Sequence, residues 1–385
     1  MFFILATLTS FSVGFLITPI LIHSLKKAKI GDVPGGRKIH KTFIPSMGGI
    51  GFVVASAVAM SIWGWQFPLP DIRYLLGAIG IMFFVGLRDD MIEMKVTKKL
   101  LGQLVAVVLV VIASDIRIKD LHGFLGVGEL NLIVSYVFSA FVLLAITNAF
   151  NLIDGLDGLA GTVATIAFSF LGSWFLVNGL ESYAVLCFTL LGGVLAFLIF
   201  NWHPAKLFMG DTGSLTLGFA IGALLIAFME YNAALPTGDL WKFEPVFSTA
   251  IALMIFPLYD MARVFARRIS QGKGPMTPDK SHVHHFLMRM GLKHNQVALL
   301  LGALQLIFVL VVFIFKDYSD HLVLPIISVL AISLGLRLDQ TTLKYVKKKV
   351  LLQPRILEMR SLSAAKKAKV RIDRKDLKES IINLN

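Results

Sequence analysis

The sequence predicts an all-α polytopic integral membrane protein with about eleven transmembrane helices. Of its 385 residues, 56% are hydrophobic, whereas soluble domains are only about 45–50% apolar. The mean hydropathy is +0.76, and apolar runs with few charges recur from end to end. Such runs cross the ~30 Å hydrocarbon core of a bilayer as helices, because a helix satisfies its own backbone hydrogen bonds.

The predicted helices follow one another along the whole chain. They begin near Phe2, Met47, Tyr74, Leu100, Leu130, Leu159, Tyr183, Ser214, Val246, Val297 and Leu322. Their order shows no internal repeat of the kind that marks many transporters. No basic residue precedes the first helix, so we expect a retained span and not a cleaved signal peptide.

The loops between these helices alternate in charge. Lysine and arginine are concentrated after the first, third and ninth helices and in the C-terminal tail, and the loop at 115–129 is mixed. The positive-inside rule therefore places the N-terminus outside and the C-terminus in the cytoplasm. We expect a transmembrane domain at 1–338 and a basic cytoplasmic tail at 339–385 that lies against anionic lipid.

Charge and cysteine content exclude several classes of protein. The formal net charge of +13 is explained by the cytoplasmic loops, so no nucleic-acid partner is predicted. The single cysteine, Cys187, lies in an apolar run. It excludes both an intrachain disulfide and a cysteine metal cluster.

A polar stretch at the end of the fifth predicted helix organises the chain. Asn148, Asn151, Asp154 and Asp157 recur at every third residue, which puts the first three on one face if the helix continues. Amides and carboxylates at a membrane boundary can bind a polar ligand or a cation. Capping and turn residues are the alternative, but two amides and two carboxylates exceed the need of one helix cap.

An acidic pair, Asp89-Asp90, follows the third predicted helix. A cation between a carboxylate and a phosphate removes their charge repulsion, so this pair suits a metal-phosphate ligand. The alternative is a solvated patch that faces Lys95, Lys98 and Lys99.

A glycine-rich stretch, Gly210-Asp211-Thr212-Gly213-Ser214, leads into the eighth predicted helix. Free backbone N–H groups, a carboxylate and hydroxyls at a helix N-terminus suit phosphate or magnesium-phosphate binding. An ordinary N-cap by Thr212 or Ser214 is the alternative.

A histidine loop follows the ninth predicted helix. It contains His282, His284 and His285, and basic residues such as Arg267 nearby are suited to hold a diphosphate. A zinc site is the alternative, although soft ligands are absent nearby. Asp260 and Arg263, at the end of the preceding helix, also fit an i,i+3 ion pair.

A basic segment with Lys38 and His40 precedes Pro45, and proximity to lipid headgroups explains its charge equally well. All these polar clusters fall on the cytoplasmic side of the predicted topology. Scattered structural polar residues would fall on both sides, so the shared side predicts one composite site.

Four of these motifs, in this order, resemble those of the polyprenyl-phosphate N-acetylhexosamine-1-phosphate transferases. They are Asp89-Asp90, Asn148 to Gly158, Phe208 to Ser214 and His282 to His285, and the resemblance covers the chain from about Pro34 to His285. The histidine loop and the Arg-Lys-x-His segment are most similar to the bacterial enzymes that load N-acetylglucosamine-1-phosphate onto undecaprenyl phosphate.

The resemblance implies this reaction, with UDP-N-acetylglucosamine as donor and Mg²⁺, or alternatively Mn²⁺, as cofactor, at the cytoplasmic face of the bacterial inner membrane. It implies that Asp211 is a metal ligand and that Asp89 and Asp90 are catalytic residues beside the lipid phosphate. The substrate-binding residues would be Lys38, His40, Asn148, Asn151, Asp154, Asp157, Arg267, His282, His284 and His285. The partners would be a UDP-sugar, undecaprenyl phosphate and the bilayer, with a homodimer as the candidate assembly.

Other functions remain open at this point. The donor could be another UDP-sugar, including UDP-muramoyl-pentapeptide, and the product could enter lipopolysaccharide, teichoic acid or another envelope glycan. A prenyltransferase also uses aspartate pairs, but it leaves the asparagines and histidines unexplained. A secondary transporter predicts charged groups near the bilayer midplane and paired repeats.

Overall fold

The computed structural model describes residues 1–32, 43–272, 274 and 282–361, without the side chains of residues 71 and 346–361. The described chain is almost entirely helical. Its helices are α1 (Phe2–Ala28), α2 (Gly49–Trp63), α3 (Arg73–Met91), α4 (Val96–Val108), α5 (Leu132–Ile153), α6 (Leu159–Val177), α7 (Glu181–Asn201), α8 (Gly210–Ala233), α9 (Val246–Leu253), α10 (Ile255–Ser270), α11 (Val283–Arg289), α12 (His294–Ile314) and α13 (Asp320–Ser361). Two short strands, β1 (Gly31–Asp32) and β2 (Ile44–Pro45), pair in antiparallel fashion.

Nine helices in the described part of the chain are long and apolar enough to cross a membrane. They are α1, α2 with the 3-10 turn that continues it to Gln66, α4 with the π-helical turn that continues it to Ala113, α5, α6, α7, α8, α12 and the first part of α13. The predicted helical, polytopic membrane architecture is therefore confirmed, while the count of eleven spans and the orientation of the termini stay predictions. Helix α3 lies where the third span was predicted, and it ends with Arg88, Asp89 and Asp90.

The ninth predicted span is not one straight helix. It is divided into α9 and α10, which meet at an angle of 82°. Pro257 lies in the first turn of α10, and it has no N–H to donate to the carbonyl four residues earlier, that of Leu253. Gln305 of α12 donates to this carbonyl instead, at 2.6 Å. A tertiary hydrogen bond thus satisfies the backbone group that the break exposes.

Helix α8 forms the centre of the bundle. Its residues from Thr212 to Met229 are buried, and it packs chiefly against α3 and α5. Glycines make these contacts close, since a Cβ at Gly218 would lie 2.9 Å from the carbonyl oxygen of Thr147 in α5. A Cβ at Gly86 of α3 would overlap the carbonyl oxygen of Asp211. The start of α8 is therefore held directly against the end of α3.

Helix α13 runs without a break through the predicted boundary between the membrane domain and the basic tail. It comprises 42 residues, from Asp320 to Ser361. At 1.5 Å per residue this is about 60 Å, twice the ~30 Å hydrocarbon thickness. A helix of this length projects well beyond the hydrocarbon core. The division at 338/339 itself stays a prediction.

Candidate active site

Helices α3 and α5 end, and α4 and α8 begin, at the same end of the bundle, which we call the site end. Asp90 of α3 links two of them, because both of its carboxylate oxygens accept hydrogen bonds from the first turn of α8. The donors are the backbone N–H groups of Asp211 and Thr212, both at 2.8 Å, and the hydroxyl of Thr212. Asp90 therefore caps α8, a task that the sequence suggested for Thr212 or Ser214.

Lys99 joins the other carboxylates at the site end. Its ammonium lies 2.9 Å from Asp89 and 2.6 Å from Asp211. Asp89 also accepts a hydrogen bond from the backbone N–H of Met94, at 2.6 Å. From the sequence alone, Lys99 is expected only as part of a solvated patch. Its position in the first turn of α4, next to the acidic pair, is the signal that could have marked it.

The two asparagines of the motif from Asn148 to Gly158, which we call the central motif, contact different partners. Asn151 donates to Asp211 and, at 2.8 Å, to the hydroxyl of Ser214, so it joins Asp89, Asp211 and Lys99 in what we call the carboxylate cluster. Asn148 instead donates to Gln103 of α4, at 2.8 Å, and Gln103 is completely buried. The structure thus gives Asn148 a contact between helices α4 and α5 and not a place beside Asp211.

Asp154 completes the carboxylate cluster just after the end of α5. Burial, together with the negative charges of Asp211 and Asp90, raises the pKa of Asp154 well above its usual value. Next to it lies a cavity of about 210 Å³. Its lining residues are Ser46, Asp154, Gly155, Leu156, Asp157, Asn201, Phe208 and Gly210. One aromatic ring and several polar groups suit a ligand that is partly planar and partly polar.

Asp157 lies in the wall of this cavity, and its carboxylate is held by histidines. One oxygen is 2.8 Å from Nδ1 of His203 and 3.2 Å from Nδ1 of His294. It also accepts from the backbone N–H of Ala205, at 3.3 Å. Burial alone would raise the pKa of Asp157, but the hydrogen bonds of His294 and His203 outweigh it and lower the pKa to about 2. Neither histidine was singled out from the sequence.

The histidine loop reaches the central motif. His282 is oriented by Asp260, whose carboxylate lies 2.7 Å from its Nδ1, and the His282 and His284 rings are stacked 5.7 Å apart. A Cβ at Gly155 would lie 3.4 Å from Nε2 of His284. His285 follows, with its ring 4.4 Å from that of His284. The histidine loop and the central motif therefore form one continuous surface.

Asp260 forms the predicted i,i+3 ion pair with Arg263 and has a second role besides. The Arg263 guanidinium lies 3.9 Å from the Asp260 carboxylate and also contacts Asp339 of α13, at 2.6 Å. The Asp260 carboxylate also accepts from the backbone N–H of Val283, at 2.8 Å, so it fixes the start of α11. The sequence could not show this, because Asp260 and His282 meet only through the tertiary fold.

The remaining predicted site residues are less closely connected. Arg267 is exposed near the end of α10. The pKa of Arg289 is lowered first by its own burial and then by the charge of Arg267. Lys38 and His40 lie outside the described residues. The structure therefore brings together the motifs around Asp89, Asn151, Asp211 and the histidine loop, and its described part leaves Arg267 at their edge.

An apolar helical bundle with carboxylates, a lysine and histidines gathered at one end defines a membrane enzyme that handles charged groups. Comparisons identify which kind. Residues 72–229 match the family described as glycosyl transferase family 4. The chain is 31% identical over 296 residues to undecaprenyl-phosphate alpha-N-acetylglucosaminyl 1-phosphate transferase of Salmonella typhi, over 74% of this chain and 78% of the relative.

A second relative extends the similarity. The chain is 32% identical over 348 residues to the probable undecaprenyl-phosphate N-acetylglucosaminyl 1-phosphate transferase of Bacillus subtilis, over 88% of this chain and 92% of the relative. The chain belongs to glycosyl transferase family 4 and is a phosphoglycosyl transferase. The resemblance drawn from the sequence motifs is thereby confirmed, and the transporter and prenyltransferase alternatives are excluded.

Proposed function

We propose that the protein transfers N-acetylglucosamine-1-phosphate from UDP-N-acetylglucosamine to undecaprenyl phosphate. The products are undecaprenyl-diphosphate-N-acetylglucosamine and UMP, and the reaction would be the first membrane step of an envelope glycan. The observation that carries the proposal is the cluster of Asp89, Asp211, Asn151 and Lys99 at the site end. The named relatives support the sugar and the lipid, and another UDP-sugar is the alternative donor.

Mg²⁺, or Mn²⁺, is the cofactor we propose, with Asp211 as its principal ligand and Asp89 as the candidate second ligand. The side chains at this position fit a hard cation, because such ions prefer carboxylate and amide oxygens as ligands. Asp89 and Asp211 carry two carboxylates against the single ammonium of Lys99, and burial together with the charges of Asp211 and Asp90 raises the pKa of Asp154 beside them. When bound, the ion would neutralise the charge that builds up on the transferred phosphate.

The reaction exchanges one phosphoanhydride bond for another. An oxygen of the lipid phosphate attacks the phosphorus that bears the sugar, and the bond from this phosphorus to the bridging oxygen breaks. The electron pair of that bond leaves with UMP. A phosphate monoester has a second pKa near 6 and is largely dianionic at pH 7, so no strong general base is required. Alignment and charge neutralisation therefore supply most of the catalysis.

The side chains at the site end suit these tasks. The Lys99 ammonium, already between two carboxylates, would reduce their repulsion toward an incoming phosphate. Asp90 would act by positioning, because both of its oxygens hold the first turn of α8 and thereby Asp211. Asp89 would orient the acceptor phosphate. An aspartyl-phosphate intermediate is the rival pathway, and trapping labelled sugar phosphate on the protein without lipid acceptor would support it.

The cavity next to Asp154 is the proposed site of the uridine part of the donor. Phe208 offers an aromatic face for the base, and the Ser46 hydroxyl lies in the same lining, where it could reach the ribose. Asn201 shapes the wall, since its amide already holds the backbone of Gly158 and Leu207. His284 lies beside Gly155 and His285 lies next to His284, and we propose that they contact the diphosphate or the sugar. In this proposal the donor would lie between the histidine loop and the carboxylate cluster.

The site end would face the cytoplasm of a bacterial inner membrane. The basic loops support this orientation, since they flank the same ends of α3 and α4. UDP-sugars are soluble and highly charged, so the donor must reach the site from an aqueous face. A homodimer stays a candidate assembly.

The experiment that tests the proposal measures transfer of radiolabel from UDP-[¹⁴C]N-acetylglucosamine to undecaprenyl phosphate by purified protein, with and without Mg²⁺. We expect metal-dependent, butanol-extractable label and release of UMP. Both Asp211→Asn and Lys99→Met should reduce the rate by about 100-fold or more, the effect of removing a preorganised charge from a reaction centre.

Matched controls separate this effect from general damage. Asp239→Asn changes a carboxylate in the loop after α8, and Lys98→Met changes the exposed neighbour of Lys99, so both should keep the wild-type rate. Transfer only from another UDP-sugar would keep the reaction type and overturn the choice of donor. No transfer from any UDP-sugar by folded protein would overturn the proposed reaction.

A further inference from the structure

Three metal-binding side chains meet behind the proposed nucleotide cavity. Asp157 lies between α5 and α6, His203 between α7 and α8, and His294 is the first residue of α12. One ligand atom from each side chain can be chosen so that all three atoms lie within 4.8 Å of one another. Asp157 and His294 are buried, whereas about a third of the His203 side chain is exposed. The exposed edge of His203 gives an ion a path from solvent.

The chemistry of this trio differs from that of the Asp211 cluster. Two imidazole nitrogens and one carboxylate oxygen are a ligand set that zinc and neighbouring transition metals prefer. Mg²⁺ prefers six oxygen ligands and is poorly served by imidazole. The trio therefore selects a softer ion than the carboxylate cluster does, and the two sites need not compete for the same metal.

The surroundings of the trio are fixed independently of any ion. The backbone N–H of Gly158 donates to Asn201, at 2.8 Å, and Gly158 adopts a left-handed conformation with φ of 80°. The ring of Trp202 packs against Gly158, where a Cβ would lie 3.0 Å from it. The segments that carry Asp157 and His203 are thus joined through neighbouring residues, which preorganises the ligands.

We propose that Asp157, His203 and His294 form a binding site for one zinc-like divalent transition-metal ion, separate from the Asp211 cluster. The ion would lie between the imidazole nitrogens and the carboxylate oxygen, and a water or a substrate atom would complete a tetrahedral site. Asp157 lines the cavity and His294 belongs to α12, so the bound ion would hold that wall of the cavity against α12. The proposal does not depend on the proposed donor or acceptor.

Zinc binding to the full-length protein, purified in detergent with its affinity tag removed, tests this directly. Competition against a chromogenic zinc indicator should give about one equivalent of bound zinc in the wild type. The affinity for zinc should fall by about tenfold or more in His203→Ala and in His294→Ala. Loss of a residue that only supports a metal ligand already lowers metal affinity by about that factor, and loss of the ligand itself should cost at least as much. His23→Ala, exposed on α1, should bind as the wild type does.

The histidine loop needs its own control, because its three imidazoles could also bind zinc. His284→Ala should keep the wild-type affinity if the Asp157 trio is the site. Loss of binding in His284→Ala alone, equal affinity in all variants, or less than about one tenth of an equivalent in the wild type would each overturn the proposal.

Direct ligation is distinguished from a structural role by cobalt spectroscopy. His203→Cys replaces an imidazole with a thiolate and keeps a ligand in place. Its Co²⁺ complex should show a thiolate-to-metal charge-transfer band in the near ultraviolet that the wild-type complex lacks. A folded His203→Cys protein without this band would show that residue 203 does not bind the ion. None of these readouts requires transferase activity, so failure here and failure of the proposed reaction are distinguishable.

Discussion

The carboxylates at the site end divide into two groups according to what already occupies their oxygens. Asp90 holds the first turn of α8 with both oxygens, and one Asp157 oxygen is shared by two histidines. Asp89 and Asp211 face the Lys99 ammonium, and Asp154 lies in their field. The second group is arranged to exchange the Lys99 contact for a hard cation or a phosphate, whereas a metal at Asp157 would be held together with the histidines that already contact it. Motif membership alone does not distinguish the two groups.

His284 makes the stability of the protein depend on pH. Burial, followed by the charge of His285, lowers the pKa of His284 from its usual 6.5 to about 3. Unfolding exposes the imidazole, so between these two pKa values the unfolded chain binds a proton that the folded chain does not. The free energy of unfolding therefore decreases as the pH falls below 6.5, by up to about 2 kcal/mol at pH 5.

This prediction is checked with His284→Gln, which cannot take up the proton. Its melting temperature in detergent should fall less between pH 7 and pH 5 than that of the wild type, as measured by differential scanning fluorimetry. His23→Gln, at an exposed position, should keep the wild-type slope. An identical slope in His284→Gln and the wild type would show that this histidine does not titrate on unfolding.

Residue spacing explains how far the central motif could be interpreted from the sequence. A step of three residues along an α-helix falls about 60° short of a full turn, so two steps move a side chain by about 120°. Asn151 and Asp154 consequently reach the Asp211 cluster, while Asn148 turns toward Gln103 of α4. The pattern identified the right face only approximately. The partners Gln103, Lys99 and Asp260 depend on helix packing, which no local pattern encodes.

At the scale of elements, close helix contacts determine where the functional side chains lie. The predicted positions of the helices agree with the structure along the described chain because apolar runs specify them directly. The break between α9 and α10 was not predicted, although Pro257 lies within the run. A proline marks a candidate break, but the angle of 82° also needs Gln305 of a distant helix to satisfy the freed Leu253 carbonyl.

Gly86 makes a backbone contact that helps to set the geometry of the site. A methyl group there would overlap the backbone carbonyl of Asp211, and backbone cannot move aside as a flexible side chain can. Gly86→Ala should therefore push the start of α8 away from α3 and disturb the hydrogen bonds of Asp90. We expect at least about a tenfold loss of transfer rate, because small displacements of reacting groups are costly.

Gly80, in the same helix, provides the matched control. A Cβ at Gly80 would meet nothing within 4 Å, so Gly80→Ala adds the same methyl group without a clash. It should keep the wild-type transfer rate, and its melting temperature should be unchanged or slightly higher, because alanine favours a helix over glycine. Equal rates for the two alanine variants would contradict the role given to the contact between α3 and α8.

At the scale of the whole molecule, the site is assembled from chain segments far apart in sequence at one end of the bundle. The sequence predicted this from the loop charges, since all the polar clusters shared one predicted side. The structure brings the clusters in the described residues together, from Asp89 to the histidine loop. The same argument predicts that the site end lies in the cytoplasm, and this orientation is open to a direct test.

The orientation prediction uses the length of α8, which separates two loops. Asp211 begins this helix at the site end, and Asp239 follows its other end, 24 helical residues or about 36 Å away. Cys187 is buried in the apolar core, so alanine can replace it without burying a polar group, which gives a cysteine-free background. Asp239→Cys should then react with a membrane-impermeant maleimide in intact cells, whereas Lys98→Cys should react only after the membrane is opened. The reverse pattern would place the site outside the cytoplasm, away from the UDP-sugars that are made there. It would overturn both the proposed orientation and the proposed donor. Labelling of both cysteines from the same side would instead show that α8 does not cross the membrane.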